Sequence, residues 1–584
     1  SSKGITNESY YTFTKAARAA GTNNVDMCAR LCHAATVAGL KRTIGVGAPT
    51  CSLKDMIGTD LLLLMGTNIA NNQPVTMKYL VEAKKRGTRV VVINTTLERG
   101  LERYWVPSMP VSAVFGTRLM DDFVQVNAGG DIAFMSGMLK HVLELGAERT
   151  DFIDRHTTGW AEFADSIRAL RWDELETISG TTRREMEWVG ELFARARSAV
   201  TVYSMGLTQH RFGTENVESV VNLHLSRGLI GRDHCGILPI RGHSGVQGGG
   251  ECGVSPSSLP GGRAVNAENC AEMSKLWGFE VPTTPGLTTV PMIKAAHQGE
   301  IDLLYNVGGN LLHTMPDPDA IAVAMGRVPM RIHQDIVVNA SMLIDPGEVL
   351  LLLPAQTRYE QRGGGTSTST ERRIRFSPEI PDHPQVGESR PEWEIPCQIL
   401  MAAHPDLAHA FSYDDAQDIR NEMGKTMPVY AGIETLRKAG DWIQWGGPHL
   451  CADGFPTMPD GRARFTVLDP PSRMAPEGQW MLTTRRGKQF NSIIIKSKDH
   501  LQGGRDRDDL FMNPADIESL GLADGSPVRV HNEHGEWHAR LRSMPIKPGV
   551  IQAYWPECNP LIPLNMDPRS EEPDYNAAVC IEAL

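Results

Sequence analysis

The chain has 584 residues, 41% of them apolar and 22% charged, and a formal net charge of −11. That length exceeds what a single hydrophobic core organises, so several domains are expected. The acidic balance argues against nucleic acid as the main ligand, since phosphate binding needs a basic surface, and no apolar run approaches the ~20 residues of a membrane span. Ten cysteines are scattered without the spacing of a disulfide framework, which points to a reduced compartment and a cytoplasmic protein.

The opening residues, Ser1-Ser-Lys-Gly-Ile-Thr-Asn7-Glu8, include no Met and no leading strand. They read as a phosphate-type loop entering a helix, with upstream residues expected to be missing. Cys28-Ala-Arg-Leu-Cys32-His33 follows at a probable helix start. A helix N-terminus favours a thiolate, and a soft sulfur ligand beside a titratable base suits a redox metal. On these residues alone, a buried thiol beside a core imidazole is the commoner arrangement. A zinc site would need a second Cys or His pair at ligand spacing, and none follows.

Next comes a repeated grammar of short apolar run, turn residues, then helix. Asp60-Leu-Leu-Leu-Leu-Met65 runs into Gly66-Thr-Asn68, and Arg89-Val-Val-Val-Ile into Asn94-Thr-Thr96. The pattern returns at Ala199–Tyr203 before Ser-Met205-Gly206, at Ile301–Val307 before Gly308-Gly309-Asn310, and at Met330–His333 before Gln334-Asp335. Buried strands with intervening helices mark parallel α/β sheets, and such sheets bind ligands at the carboxyl ends of their strands. Several such ends in one chain suggest a large polyphosphate cofactor lying across them.

Leu238-Pro-Ile-Arg241-Gly-His243-Ser-Gly-Val-Gln-Gly sets a permanent cation with a planar fork in a Gly-rich loop. That fork suits a small carboxylate, although a surface Arg in such a loop is equally ordinary. Gly363-Gly-Gly-Thr-Ser-Thr-Ser-Thr reads as a flexible polar surface loop, and 378–471 as an irregular connector with some helix. The last ~115 residues alternate apolar and polar residues as β structure does, with 522–531 and 533–542 resembling hairpin strands of a small barrel. The expected division is 1–27, 28–243, 244–470 and 471–584.

The Cys32-His33 stretch resembles the segment of formate dehydrogenase catalytic subunits in which Cys or selenocysteine ligates molybdenum and the next His serves catalysis. Pro-Ile-Arg241-Gly-His243-Ser-Gly-Val-Gln-Gly is similar to the segment supplying their active-site Arg. The resemblance is to molybdopterin oxidoreductases of the dimethyl sulfoxide reductase superfamily, in the formate dehydrogenase α-subunit-like branch, and it extends over nearly the whole chain. It implies a multidomain α/β fold, with parallel sheets around a bis-pterin cofactor and a C-terminal β-barrel cap. It further implies molybdenum or tungsten carried by two molybdopterin guanine dinucleotides, with Cys32 as metal ligand, His33 handling a proton and Arg241 orienting substrate.

Cofactor contacts are implied at Asn7, Glu8, Gly66, Asn68, Asn94, Thr96, Gly129, Asp131, Met205, Gly206, Gln209 and His243. They are implied also at Gly308, Gly309, Asn310, Gln334 and Asp335, and in the cap at Thr484, Arg486, Gln489, Asn491, Asn513, Asp516 and Asn559. The family's four-cysteine segment is absent here, so a [4Fe-4S] cluster is expected only on a missing N-terminal stretch. The expected substrate is formate or another small anion, with an electron-transfer partner. Reduction of nitrate or another oxo-anion is the alternative within the superfamily, and a metal-free structural subunit the alternative outside it.

Overall fold

The computed structural model describes residues 4–243, 245–471, 475–487, 490–491 and 494–584, with backbone alone at 490, 491, 494, 495 and 501. The chain divides into two compact units, 1–32 with 243–447 and 33–242 with 448–584.

The second unit is built on Leu61–Met65 (β1), Arg89–Asn94 (β2), Asp122–Gln125 (β3), Ala199–Tyr203 (β4) and Gly236–Pro239 (β5). They pair in parallel in the order β3-β2-β1-β4-β5. Alternate residues of β1 serve opposite faces. Leu61, Leu63 and Met65 pack with Phe134 and Val220 on one side, and Leu62 and Leu64 with Leu80 and Val81 on the other. Both faces are apolar because helices cover both, and each buried leucine contributes about 1.5–3 kcal/mol. The order reverses between β1 and β4, so their connections leave in opposite directions and open a crevice at the carboxyl ends.

In the first unit Leu303–Val307 (β6), Met330–Asp335 (β7) and Val349–Pro354 (β8) form a smaller parallel sheet. Gly365–Thr368 (β9), Arg373–Ser377 (β10) and Trp442–Gln444 (β11) form an antiparallel one. The helix Asn7–Ala19 opens with Thr6 accepting from the Ser9 N–H, and its Tyr10 and Tyr11 join Trp277, Trp393, Ile374 and Tyr430 in this unit's core.

The Gly-Thr-Ser stretch read as a surface loop is in fact strand β9, with Thr366 and Thr368 buried. Its inner face is polar and satisfied. Asn7 Nδ2 donates to both threonine hydroxyls at 3.1 Å, and the Thr366 N–H donates to the Glu8 carboxylate at 2.9 Å. Apolar alternation, the usual signal of a half-buried strand, is therefore missing here.

The second unit is completed by Trp480–Arg485 (β12), Asp509–Met512 (β13), Pro527–His531 (β14), Glu536–Ser543 (β15), Val550–Tyr554 (β16) and Asn576–Ala583 (β17). These close a barrel in the order β12-β16-β13-β15-β14-β17, and β14–β15 is the antiparallel hairpin expected. The barrel packs on the loops of the five-stranded sheet. Met481, Ile546 and Val550 meet Ala128, and Gln125 Nε2 donates to the Pro545 carbonyl at 2.7 Å. Arg485 and Gln502 both donate to Glu98, at 2.9 and 2.7 Å. None of the ten cysteines is in a disulfide, and no helix among the described residues is long and apolar enough to cross a membrane.

Glu8 and Arg420 form an ion pair at 3.0 Å with both side chains buried. Glu8→Ala leaves a buried guanidinium without its carboxylate, at an expected cost of about 3–5 kcal/mol. Glu8→Gln keeps an acceptor and costs less. Native-state hydrogen exchange at the Thr366 amide measures this directly, and unchanged protection in Glu8→Ala would contradict it.

Candidate active site and nucleotide crevice

The helix Cys28–Ile44 breaks at His33, whose φ of −147° and ψ of 24° are not helical. Cys32 therefore ends one helical segment and His33 opens the next. Cys28 and Cys32 are half-buried and in no disulfide. In the second segment the Ala35 N–H donates to the Glu572 carboxylate at 2.8 Å, which places a negative charge at the positive end of the helix.

His33 is 1% exposed and Arg241, two residues beyond β5, is 8% exposed. The His33 Nδ1 lies 3.1 Å from Thr36 Oγ1, and the Tyr203 hydroxyl donates to the same oxygen at 3.1 Å. Burial first, and then the Arg241 charge, hold the His33 imidazole well below its usual range, while a hydrogen bond with the Ile240 carbonyl works the other way. Burial likewise raises the Tyr203 phenol, which Arg241 partly offsets. A buried fixed cation thus stands within electrostatic reach of a buried imidazole, an environment suited to a small anion.

The second cluster lies at the carboxyl ends of β1 to β4. Gly66 has φ +53°, and its carbonyl accepts the Gly206 N–H at 3.0 Å. A Cβ on Gly66 would stand 2.6 Å from Leu207 Cδ1, and one on Gly206 would stand 2.5 Å from the Gly66 oxygen. The loops after β1 and β4 approach this closely only because both residues are glycine. Beside them are Asn68, capping the Asn71 N–H, Met205 and Gln209 in the β4 loop, Asn94 at the end of β2 and Thr96 just after it. Gly129, with φ +80°, precedes the helix that starts at Asp131. The Thr67 hydroxyl is buried with no hydrogen-bond partner among the described residues. An orphaned hydroxyl beside a glycine-lined crevice fits a phosphate or ribose laid across the strand ends.

In the first unit Gly308, Gly309, Asn310, Gln334 and Asp335 gather at the ends of β6 and β7. Asn339 Nδ2 donates to Asp335 at 3.1 Å and to the Gly309 carbonyl at 3.2 Å. Burial raises the Asp335 carboxyl. Asn7 Nδ2 and the Glu8 carboxylate are engaged by β9 and Arg420, while the buried Asn7 Oδ1 has no hydrogen-bond partner among the described residues. His243 is half-buried in the same unit.

In the barrel Thr484 lies on β12, and the Arg486 guanidinium lies 5.3 Å from the Trp555 ring centroid. Asn513 caps the helix Pro514–Ser519, Asp516 accepts the Gly549 N–H at 2.8 Å, and Asn559 is buried. Gln489 and the side chain of Asn491 lie outside the described residues.

Sequence reading missed a polar group around Asp131. His210 Nε2 pairs with the Gly206 carbonyl at 2.9 Å, and its Nδ1 with Asn576 Nδ2 at 3.2 Å. Asn576 also donates to Asp574 at 2.8 Å and to the Gln209 carbonyl at 3.0 Å. Asp574 and Asn576 come from the last strand region, so only the adjacency of His210 to Gln209 offered a signal.

Burial pushes the Asp131 carboxyl up to about 6, with the His210 charge partly opposing. A carboxyl raised on folding contributes stability fully below its unfolded value near 3.9 and loses it as pH climbs through about 6. In cofactor-free protein Asp131→Asn should match the wild type around pH 4 and exceed it by about 3 kcal/mol around pH 8. Urea unfolding across pH tests this, and parallel profiles for the two proteins would rule it out.

A family profile described as Molybdopterin oxidoreductase matches residues 1–402, and one described as Molydopterin dinucleotide binding domain matches residues 480–579. The chain is 29% identical to Protein YdeP of Escherichia coli over 98% of this chain and 78% of that protein. It is 28% identical to F420-dependent formate dehydrogenase 1 subunit alpha of Methanococcus maripaludis, over 94% of this chain and 80% of the other. Its fold resembles that of acetylene hydratase from Pelobacter acetylenicus, with a TM-score of 0.70 at 15% identity over 98% of this chain and 84% of that one. Two-thirds of the sequence carries the first profile, and the chain belongs to the molybdopterin oxidoreductase family.

Proposed function

We propose that the chain is the catalytic subunit of a formate dehydrogenase, oxidising formate to carbon dioxide, one proton and two electrons. The observation that carries this reading is the buried Arg241 within electrostatic reach of His33, the residue that follows Cys32. The 28% identity to a formate dehydrogenase subunit supports it.

Cys32 would hold molybdenum or tungsten, which with its two pterin guanine dinucleotides supplies the two-electron acceptor when bound. Gly66, Thr67, Asp131 and Gly206 would hold one dinucleotide, and Gly308, Gly309, Asn310 and Asp335 the other. Arg241 grips the carboxylate oxygens through its two-pronged fork, and burial strengthens that hold by excluding water. His33 stands next to the metal ligand and passes the released proton on. A partner protein, or a [4Fe-4S] cluster for which none of the described residues is assigned, would take up the two electrons.

Arg241→Lys keeps the charge and loses the fork. Formate kcat/KM, normalised to bound metal, should fall roughly ten- to hundredfold with pterin content unchanged. Normal kinetics per metal would defeat the substrate assignment, and turnover of nitrate in place of formate would redirect it. Acid-denatured holoprotein should also release two guanine dinucleotides per metal, measured by chromatography. One dinucleotide per metal would leave one of the two strand-end clusters without the ligand assigned to it.

A further inference from the structure

Ile240, the residue that precedes Arg241, is held at both its N–H and its carbonyl. The Ile240 N–H donates to the Tyr203 carbonyl at 2.8 Å. The Ile240 carbonyl accepts the Ser204 hydroxyl at 3.1 Å and is hydrogen-bonded by the His33 ring. That ring is held at Nδ1 by Thr36, which accepts the Tyr203 phenol, both at 3.1 Å. The bonds form a closed circuit from the Tyr203 backbone through Ile240, His33 and Thr36 to the Tyr203 side chain. Thr36, Tyr203 and Ser204 are all buried, where a hydroxyl without a partner would be costly, and here each one is spent on this circuit.

We infer that Thr36 and Ser204 are positioning residues for Arg241. Thr36 acts through His33 and Ser204 acts directly, and together they fix the Ile240 carbonyl and so the place of the guanidinium that grips the anion. The inference rests on reading Arg241 as that grip. A bidentate fork tolerates little displacement, since a misplacement of about 1 Å can cost a reaction up to a hundredfold.

The test uses the holoenzyme and its Thr36→Val, Thr36→Ser, Ser204→Ala and Arg241→Lys variants. Azide, a small linear anion, is titrated calorimetrically, and formate KM and kcat are measured with metal content and Tm. Thr36→Val and Ser204→Ala should each raise the azide Kd and the formate KM together by about three- to tenfold. Thr36→Ser, which restores the hydroxyl, should return both to wild-type values. If Thr36→Val does not fold, Ser204→Ala carries the test alone.

Azide Kd and formate KM within twofold of wild type in Ser204→Ala overturn the inference. So does a Thr36→Ser variant as impaired as Thr36→Val, because lost packing would then be the cause. Weakened azide binding in Arg241→Lys with normal binding in the two hydroxyl variants defeats this inference and spares the formate reading. Unaltered azide binding in Arg241→Lys defeats both.

Discussion

The hydrogen bond from the Gly206 N–H to the Gly66 carbonyl joins two loops that the strand order drives apart. Strand β1 continues towards β2 on one side, and β4 towards β5 on the other, so the floor of the crevice between them is bare backbone. No side chain fits there, because a Cβ on either glycine would collide with the opposite loop. The Thr67 hydroxyl, the Asp131 helix and His210 stand around that floor at positions the two loops dictate. A ligand reaching the crevice meets amides and small polar groups, the surface that phosphates and riboses require.

The buried charges of the molecule fall into two kinds. Arg420 and Arg485 each face a carboxylate, at 3.0 and 2.9 Å, and each ties distant parts of the chain together. Arg241 acts instead on neutral neighbours, lowering the basicity of His33 and the pKa of the Tyr203 phenol. Arg420 and Arg485 are structural cations by their partners, and the charge of Arg241 is felt by the His33 ring, next to Cys32 in the chain.

The strands were legible because parallel sheets covered on both faces demand unbroken apolar runs, which Leu61–Met65 and Val90–Ile93 supply. Their carboxyl-end glycines and amides were legible for the same reason, since turning and ligand approach both select them. The barrel hairpin showed in its alternation. Strand β9 did not, because its inward residues are threonines whose burial depends on Asn7 and Glu8 from the other end of the unit. The Glu8–Arg420 pair was illegible too, because its members lie 412 residues apart. The group of His210, Asp574 and Asn576 is assembled across 366 residues, and no local pattern encodes such a meeting. The circuit around Ile240 escaped notice because backbone carbonyls have no letter in a sequence.

The ties between barrel and sheet have a meaning in time as well as space. Arg485 reaches Glu98 across 387 residues, and Gln552 meets Thr96 across 456. A ribosome adding about 5–20 residues per second takes roughly 20–80 s between the first of these pairs. Throughout that interval the loops after β2 and β3 lack the strands that pack on them, and their ends of the crevice face solvent. Those loop ends are covered only once the barrel strands have followed the sheet out of the ribosome.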